Sequence, residues 1–153
     1  MNVMFLCLGN VCRSPLAEGI LKKMYSEKGI ESIVDSAGFE SFNINDSPDE
    51  RAVKVAAMHK IDITSKRARL FSENDFDRFD RIYVMDLKSL QDVQDFARDA
   101  HDMNKVDYLM NLIEPGKNIS ISDPYEKGFD ECEKVFELIE KACKIITKRA
   151  VSD

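Results

Sequence analysis

Val3-Met4-Phe5-Leu6-Cys7-Leu8-Gly9-Asn10-Val11-Cys12-Arg13-Ser14-Pro15 is the stretch on which the fold turns. Residues 3–6 are continuously apolar, as in a strand covered on both faces. The far end has the marks of a helix start: Ser14 as a candidate N-cap, Pro15 at the first helical position and Glu18 in the first turn. Leu16, Ile20, Leu21 and Met24 then share one side of that helix. The chain therefore opens with a buried strand, a short loop and a helix.

The same alternation continues outward. A second strand is expected near Ser32-Ile33-Val34, and Ser47-Pro48-Asp49-Glu50 has capping-box spacing for a second helix. Arg81-Ile82-Tyr83-Val84-Met85 is a further buried strand, and Asp86 caps a helix carrying Leu87, Leu90, Val93 and Ala97. A short strand is expected near Val106-Asp107-Tyr108. Cys132, Val135, Phe136, Ile139, Ala142, Cys143 and Ile146 form one apolar stripe on a last helix. Residues 1–153, with no repeat, linker or low-complexity stretch, are expected to form a single α/β domain. It is a doubly wound parallel sheet of about four strands with helices on both faces. Its ligand site should lie at the carboxyl ends of the strands, where Cys7 falls.

Cys7 and Arg13 are separated by five residues. A loop of that size between strand and helix can curl its N–H groups around one oxyanion, and the helix N-terminus adds donors and the positive end of its dipole. The Arg13 fork suits two phosphate oxygens. Leu8, Gly9, Asn10, Val11, Cys12, Arg13 and Ser14 thus make a candidate phosphate-binding loop, with Cys7 beneath the anion as nucleophile. The field that holds an oxyanion also favours a thiolate, and the Ser14 hydroxyl can donate to it. Attack on a phosphate monoester would give a cysteinyl-phosphate that water hydrolyses. The departing oxygen then needs a proton, so a general acid is required elsewhere. Asp123-Pro124-Tyr125 is the candidate: proline biases Asp123 toward an extended backbone, and Tyr125 would wall an aromatic leaving group. Taken alone, an Asp-Pro pair marks an ordinary turn.

Together these motifs resemble the low-molecular-weight protein tyrosine phosphatases, in register over nine positions from Cys7 to Pro15 and again at Asp123-Pro124-Tyr125. Asp35-Ser36-Ala37-Gly38, Pro48-Asp49-x-Arg51-Ala52, Ala68-Arg69 and Met85-Asp86 extend the resemblance along essentially the whole chain. The resemblance implies Cys7 as nucleophile, Arg13 as phosphate clamp, and Asp123 as general acid and then base for water. It implies a left-handed Asn10 bonded toward Ser14 and Ser36, and Phe42 and Tyr125 at the substrate mouth. Cys12 matches a second loop cysteine that forms a reversible disulfide with the nucleophile, a redox pair of Cys7 and Cys12 that shields Cys7 from irreversible oxidation. Substrates would be phosphotyrosine-containing proteins or small aryl phosphates, with no cofactor and no metal.

The chain departs from the family at Glu126, where a second aromatic is usual, and at Phe39 and Glu40, where smaller residues are common. A carboxylate at Glu126 is expected to repel acidic phosphopeptides. Two alternatives share the fold. A protein-arginine phosphatase tends to carry threonine where Val11 stands, and Val11 suits an aryl ring better. An arsenate reductase needs relay cysteines near Met85, and none is there.

A net charge of −6 argues against a nucleic-acid surface. No signal peptide or apolar run of membrane-spanning length is seen, and four cysteines without a paired framework suit a reducing compartment. A cytoplasmic monomer without membrane insertion is expected. His59 and His101 are expected to pack or face solvent, and Lys66-Arg67-Ala68-Arg69 to form a solvated face.

Overall fold

The computed structural model describes residues 1–125 and 127–152. Four strands, β1 (Val3–Leu6), β2 (Val34–Ala37), β3 (Arg81–Val84) and β4 (Val106–Tyr108), make one sheet. Its order is β2-β1-β3-β4 and every pairing is parallel. Val3 is level with Val34 on one side and Arg81 on the other. All four β1 residues are fully buried because the pleat sends alternate side chains into two cores. Val3 and Phe5 join the core under α1 (Arg13–Glu27), α2 (Glu50–Met58) and α6 (Phe129–Ser152). Met4 and Leu6 join a second core under α3 (Asp75–Arg78), α4 (Leu87–Gln94) and α5 (Ala100–Met103). This is the doubly wound arrangement expected. The order reverses at β1, so the loop after β1 lies where such sheets bind ligands.

Local chemistry explains where the element boundaries differ from expectation. α1 starts at Arg13, so Pro15 is its third residue, and Cys12 rather than Ser14 is the N-cap. Proline is tolerated there because the first N–H groups of a helix lack intrahelical acceptors. At its other end the Gly29 N–H donates to Ser26 (3.2 Å), the Ile30 N–H donates to Tyr25 (2.9 Å), and Gly29 takes φ 67°. That is a glycine-terminated helix with its last carbonyls satisfied.

β2 begins at Val34, later than the Ser32-Ile33-Val34 run suggested. Ile33 is 47% exposed and is tied by its N–H to the Asn2 side chain (2.9 Å). The polar Asp35-Ser36 pair hid the strand, and both side chains turn out to support the loop. α2 is capped by Asp49, whose side chain accepts the Arg51 N–H (3.2 Å), in place of Ser47. The Asp86 cap on Ser89 (2.9 Å), strand β4 and the buried stripe of α6 are where they were expected. His59 stacks on Phe136 with ring centroids 4.0 Å apart. No helix among the described residues is long and apolar enough to cross a membrane.

Candidate active site

β1 delivers Cys7 to the carboxyl edge of the sheet, and the chain turns at Asn10, whose φ of 56° is left-handed. Asparagine accepts that region better than most side chains because its short amide bonds locally. Here the amide Nδ2 donates to Ser14 Oγ (2.8 Å) and Ser36 Oγ (2.9 Å), and Oδ1 accepts the Arg69 N–H (3.0 Å). Ser14 Oγ lies 2.9 Å from Cys7 Sγ. Because Ser14 already accepts from Asn10, its own proton is available to a Cys7 thiolate. Among the described residues, no acceptor takes the backbone N–H of Leu8, Gly9, Asn10, Val11, Cys12 or Arg13. Such a run of uncommitted donors is what an oxyanion needs.

Arg13 is 2% exposed and held from two sides. Its Nη1 donates to Asp86 Oδ2 (2.7 Å) and to the Ile121 carbonyl (2.8 Å). Burial works to lower its pKa, but charge on Cys7 and the Asp86 hydrogen bond outweigh it, so the guanidinium stays firmly charged. Burial likewise works to raise Asp86, and the Ser89 N–H and Arg13 bonds pull it below the usual carboxylate range. Ile121 is itself anchored, its N–H donating to the Met85 carbonyl (2.7 Å) at the end of β3. This crossing carries Asp123 to the site. Asp123 Oδ2 stands 3.9 Å from Arg13 Nη2 with its side chain 53% exposed, and Oδ1 accepts the Tyr125 N–H (3.0 Å).

Cys7, Arg13 and Asp123 line one cleft of about 580 Å³ together with Gly9, Val11 and Cys12. Phe42, 76% exposed on the short helical turn Ser41–Asn43, and Tyr125, 53% exposed, flank its mouth. Arg51 covers the Tyr125 ring at 5.6 Å. The profile of the family described as low molecular weight phosphotyrosine protein phosphatase matches residues 2–152. The chain belongs to this family. It is 31% identical over 150 residues to the Sus scrofa protein of that name, a match spanning 97% of this chain and 94% of the pig protein. A crystal structure of a protein tyrosine phosphatase from Entamoeba histolytica superposes with a TM-score of 0.90 at 28% identity, over 99% of this chain and 97% of that one. A drosophila arginine phosphatase superposes equally well, with TM-score 0.90 at 30% identity over 100% and 99% of the two chains.

The support beneath the loop of this family member was largely missed in the sequence. Glu18, 6% exposed, accepts from Ser36 Oγ (2.6 Å) and pairs with Lys66 (3.0 Å). Lys66 also reaches Asp35 (2.9 Å), and Arg69 bridges Asp35 (2.9 Å) and the buried Asp75 (3.0 Å). The expectation of a solvated basic face is therefore corrected: Lys66 and Arg69 turn inward because three carboxylates under the loop need partners. Arg67 alone of the three cations is exposed. Asp86 caps α4 as expected and also grips Arg13, a role the sequence did not indicate. The available signal was its place directly after β3, at the same sheet edge as Cys7. Burial pushes the Cys12 thiol up, with Cys132 and then Cys7 the next contributors, and all four cysteines are free thiols. Glu126 lies outside the described residues. No group of three or more His, Cys, Asp or Glu among the described residues is placed to hold a metal ion.

Proposed function

We propose that this chain is a cysteine-dependent phosphatase hydrolysing phosphotyrosine and small aryl phosphate monoesters. The reading is carried by Cys7 Sγ set 2.9 Å from Ser14 Oγ at the base of a loop of six N–H groups that no protein acceptor takes among the described residues. Those donors and Arg13 bind the phosphoryl oxygens and stabilise the charge that spreads over them in the transition state. Cys7 sulfur forms a bond to phosphorus as the bond to the aryl oxygen breaks. Asp123 passes its proton to that oxygen, then takes a proton from the water that cleaves the cysteinyl-phosphate, releasing inorganic phosphate and the free thiolate. Phe42 and Tyr125 offer two aromatic walls to the substrate ring. The positive field comes from the protein, so the chemistry needs no cofactor. The names of the pig and amoebic relatives accord with this reading.

A second reading is a protein-arginine phosphatase. The drosophila relative bears that description, and the mouth carries Glu40, Asp46 and Glu50, a setting congenial to a guanidinium. Val11 and the two aromatic walls favour the aryl ester. The cellular setting follows the same proposal: a cytoplasmic monomer whose thiols stay reduced, with Cys12 able to trap an oxidised Cys7 as a disulfide that a thiol reverses. Phosphate release by wild type and Cys7→Ser on matched phosphotyrosine and phosphoarginine peptides separates the readings. Turnover of phosphotyrosine peptide that vanishes with Cys7→Ser is the expected result, and turnover of phosphoarginine peptide alone overturns the substrate assignment. Asp123→Ala should slow esters of poor leaving groups far more than those of good ones. Equal slowing removes Asp123 from the role of acid.

A further inference from the structure

Phe39 and Glu40, the two residues where this chain departs from its family beside the second strand, build a depression of their own. Phe39 lies against Phe71 and Phe96, with ring centroids 6.0 Å away in each case, and Phe71 meets Phe96 edge-on at 5.4 Å. These rings, with Leu8 and Leu70, form the apolar lining of a groove of about 500 Å³. Leu70 and Phe96 are each 38% exposed, so the groove is open to solvent on an apolar floor. It stands back to back with the catalytic cleft. Cys7 and Gly9 line the cleft, Leu8 lines the groove, and Glu40 lines both. The dividing ridge is one unit, because the Leu8 carbonyl accepts the N–H of Phe39 (2.8 Å) and of Glu40 (3.2 Å).

We propose that this groove is a specificity subsite that receives an apolar side chain of a phosphopeptide substrate, close in sequence to the phosphorylated residue. The inference rests on the phosphatase reading of the Cys7 cleft. A peptide anchored by its phosphate in the cleft must leave across the mouth, and an extended chain advances about 3.3 Å per residue. Crossing a ridge one loop thick therefore brings a residue about two or three positions away over the aromatic floor. The chemistry of the rim narrows the occupant. Lys88 is paired with Asp92, while Glu40 and Asp95 have no cationic partner among the described residues. An apolar side chain is welcome on the floor and an acidic one is repelled at the edge. A small aryl phosphate fills only the cleft and never reaches the groove.

The test is kcat/KM on a phosphotyrosine peptide series with Leu, Ala or Glu at each of three positions on either side of the phosphorylated residue. Wild type, Leu70→Glu and Phe96→Ser are compared, with p-nitrophenyl phosphate as the substrate that reads the cleft alone. At one position two or three residues away, Leu should exceed Ala by about tenfold and Glu should fall below Ala. Both variants should lose that preference while keeping p-nitrophenyl phosphate turnover within about twofold, since neither side chain lines the cleft. Wild type that turns over p-nitrophenyl phosphate but treats the series alike overturns the groove and leaves the phosphatase reading standing. A leucine preference that survives in both variants also overturns it. Failure to turn over p-nitrophenyl phosphate removes the catalytic reading, and the subsite with it.

Discussion

Gly38 is where the supporting chain passes nearest the phosphate loop, and Gly38→Ala perturbs that contact alone. An added Cβ would stand 2.7 Å from the Leu8 carbonyl oxygen and 3.0 Å from both the N and Cβ of Asn10. Ordinary Cβ contacts begin near 3.4 Å, so the two chains must part by the difference, about 0.7 Å. The obstacles are largely backbone, so no rotamer change relieves them. Gly38 itself is pinned: its N–H donates to Arg69 (2.9 Å) and its carbonyl accepts from Phe71 (2.8 Å). The loop is therefore what moves. Its φ is not in the left-handed region, so alanine brings a steric contact and no backbone strain. A misplacement of 1 Å at a reacting centre costs about 100-fold, which scales to about 30-fold here. Overpacking should cost about 1–3 kcal/mol of stability. The assay is kcat and KM on two aryl phosphates, one with a good and one with a poor leaving group, alongside urea unfolding. Both esters should slow equally, because the loop holds the phosphate and leaves Asp123 untouched. A variant within twofold of wild type on both esters, destabilised by the expected amount, would show that the loop does not depend on this approach.

Three further outcomes are expected. Asp86→Ala leaves a buried guanidinium with the Ile121 carbonyl and only a long contact to Asp123, and also uncaps α4; urea unfolding should register a loss of about 3–5 kcal/mol, and inorganic phosphate should inhibit more weakly. Ser14→Ala removes the hydroxyl 2.9 Å from Cys7 Sγ, a charge-assisted bond worth about 1.5–3 kcal/mol, so alkylation of Cys7 by iodoacetamide at pH 6 should slow about tenfold or more; an unchanged rate removes Ser14 from thiolate support. For Asp35, burial works to raise the carboxyl, but Lys66 and Arg69 hold it below its ordinary value. Its contribution to stability is thus complete above about pH 4, the unfolded range, and is lost as pH falls through the lower folded value. Unfolding free energy measured from pH 6 to pH 2 should therefore fall less steeply in Asp35→Asn than in wild type, and parallel curves would contradict the pairing.

What the sequence revealed and what it hid divide along one physical line. Burial on both faces is written into the continuous apolar runs of β1 and β3, and burial on one face into the stripe of α6, so all three could be read directly. β2 begins two residues later than its apolar pattern indicates, because Asp35 and Ser36 serve the loop, and polar side chains with a supporting task break the pattern that marks a strand. Cys7, the loop and Arg13 were legible because they lie within seven consecutive residues and their geometry is set locally. Asp86 and Ile121 were not, since nothing in their neighbours announces a partner 73 or 108 positions away. Lys66 and Arg69 were misread for a related reason: a basic run looks solvated until the carboxylates it faces are known.

The hidden contacts determine the direction of the protons at the reacting thiol. Glu18 Oε1 accepts from the Ser36 hydroxyl and pairs with the Lys66 ammonium, so the Ser36 hydroxyl points its proton there. Ser36 must then accept from Asn10, whose amide is already oriented because its oxygen takes the Arg69 N–H. The second amide hydrogen goes to Ser14, which leaves Ser14's own proton for Cys7. Each link is fixed by the donor and acceptor capacity of its neighbour. A side chain 11 residues along the chain from Cys7, on the inner face of α1, thus reaches the nucleophile through three intervening groups. Arg13, by contrast, is anchored from the end of β3 and from the segment that precedes α6, with no bond to this chain of groups. The nucleophile and the clamp are therefore positioned by separate halves of the sheet, and they meet only at the reversal of strand order after β1.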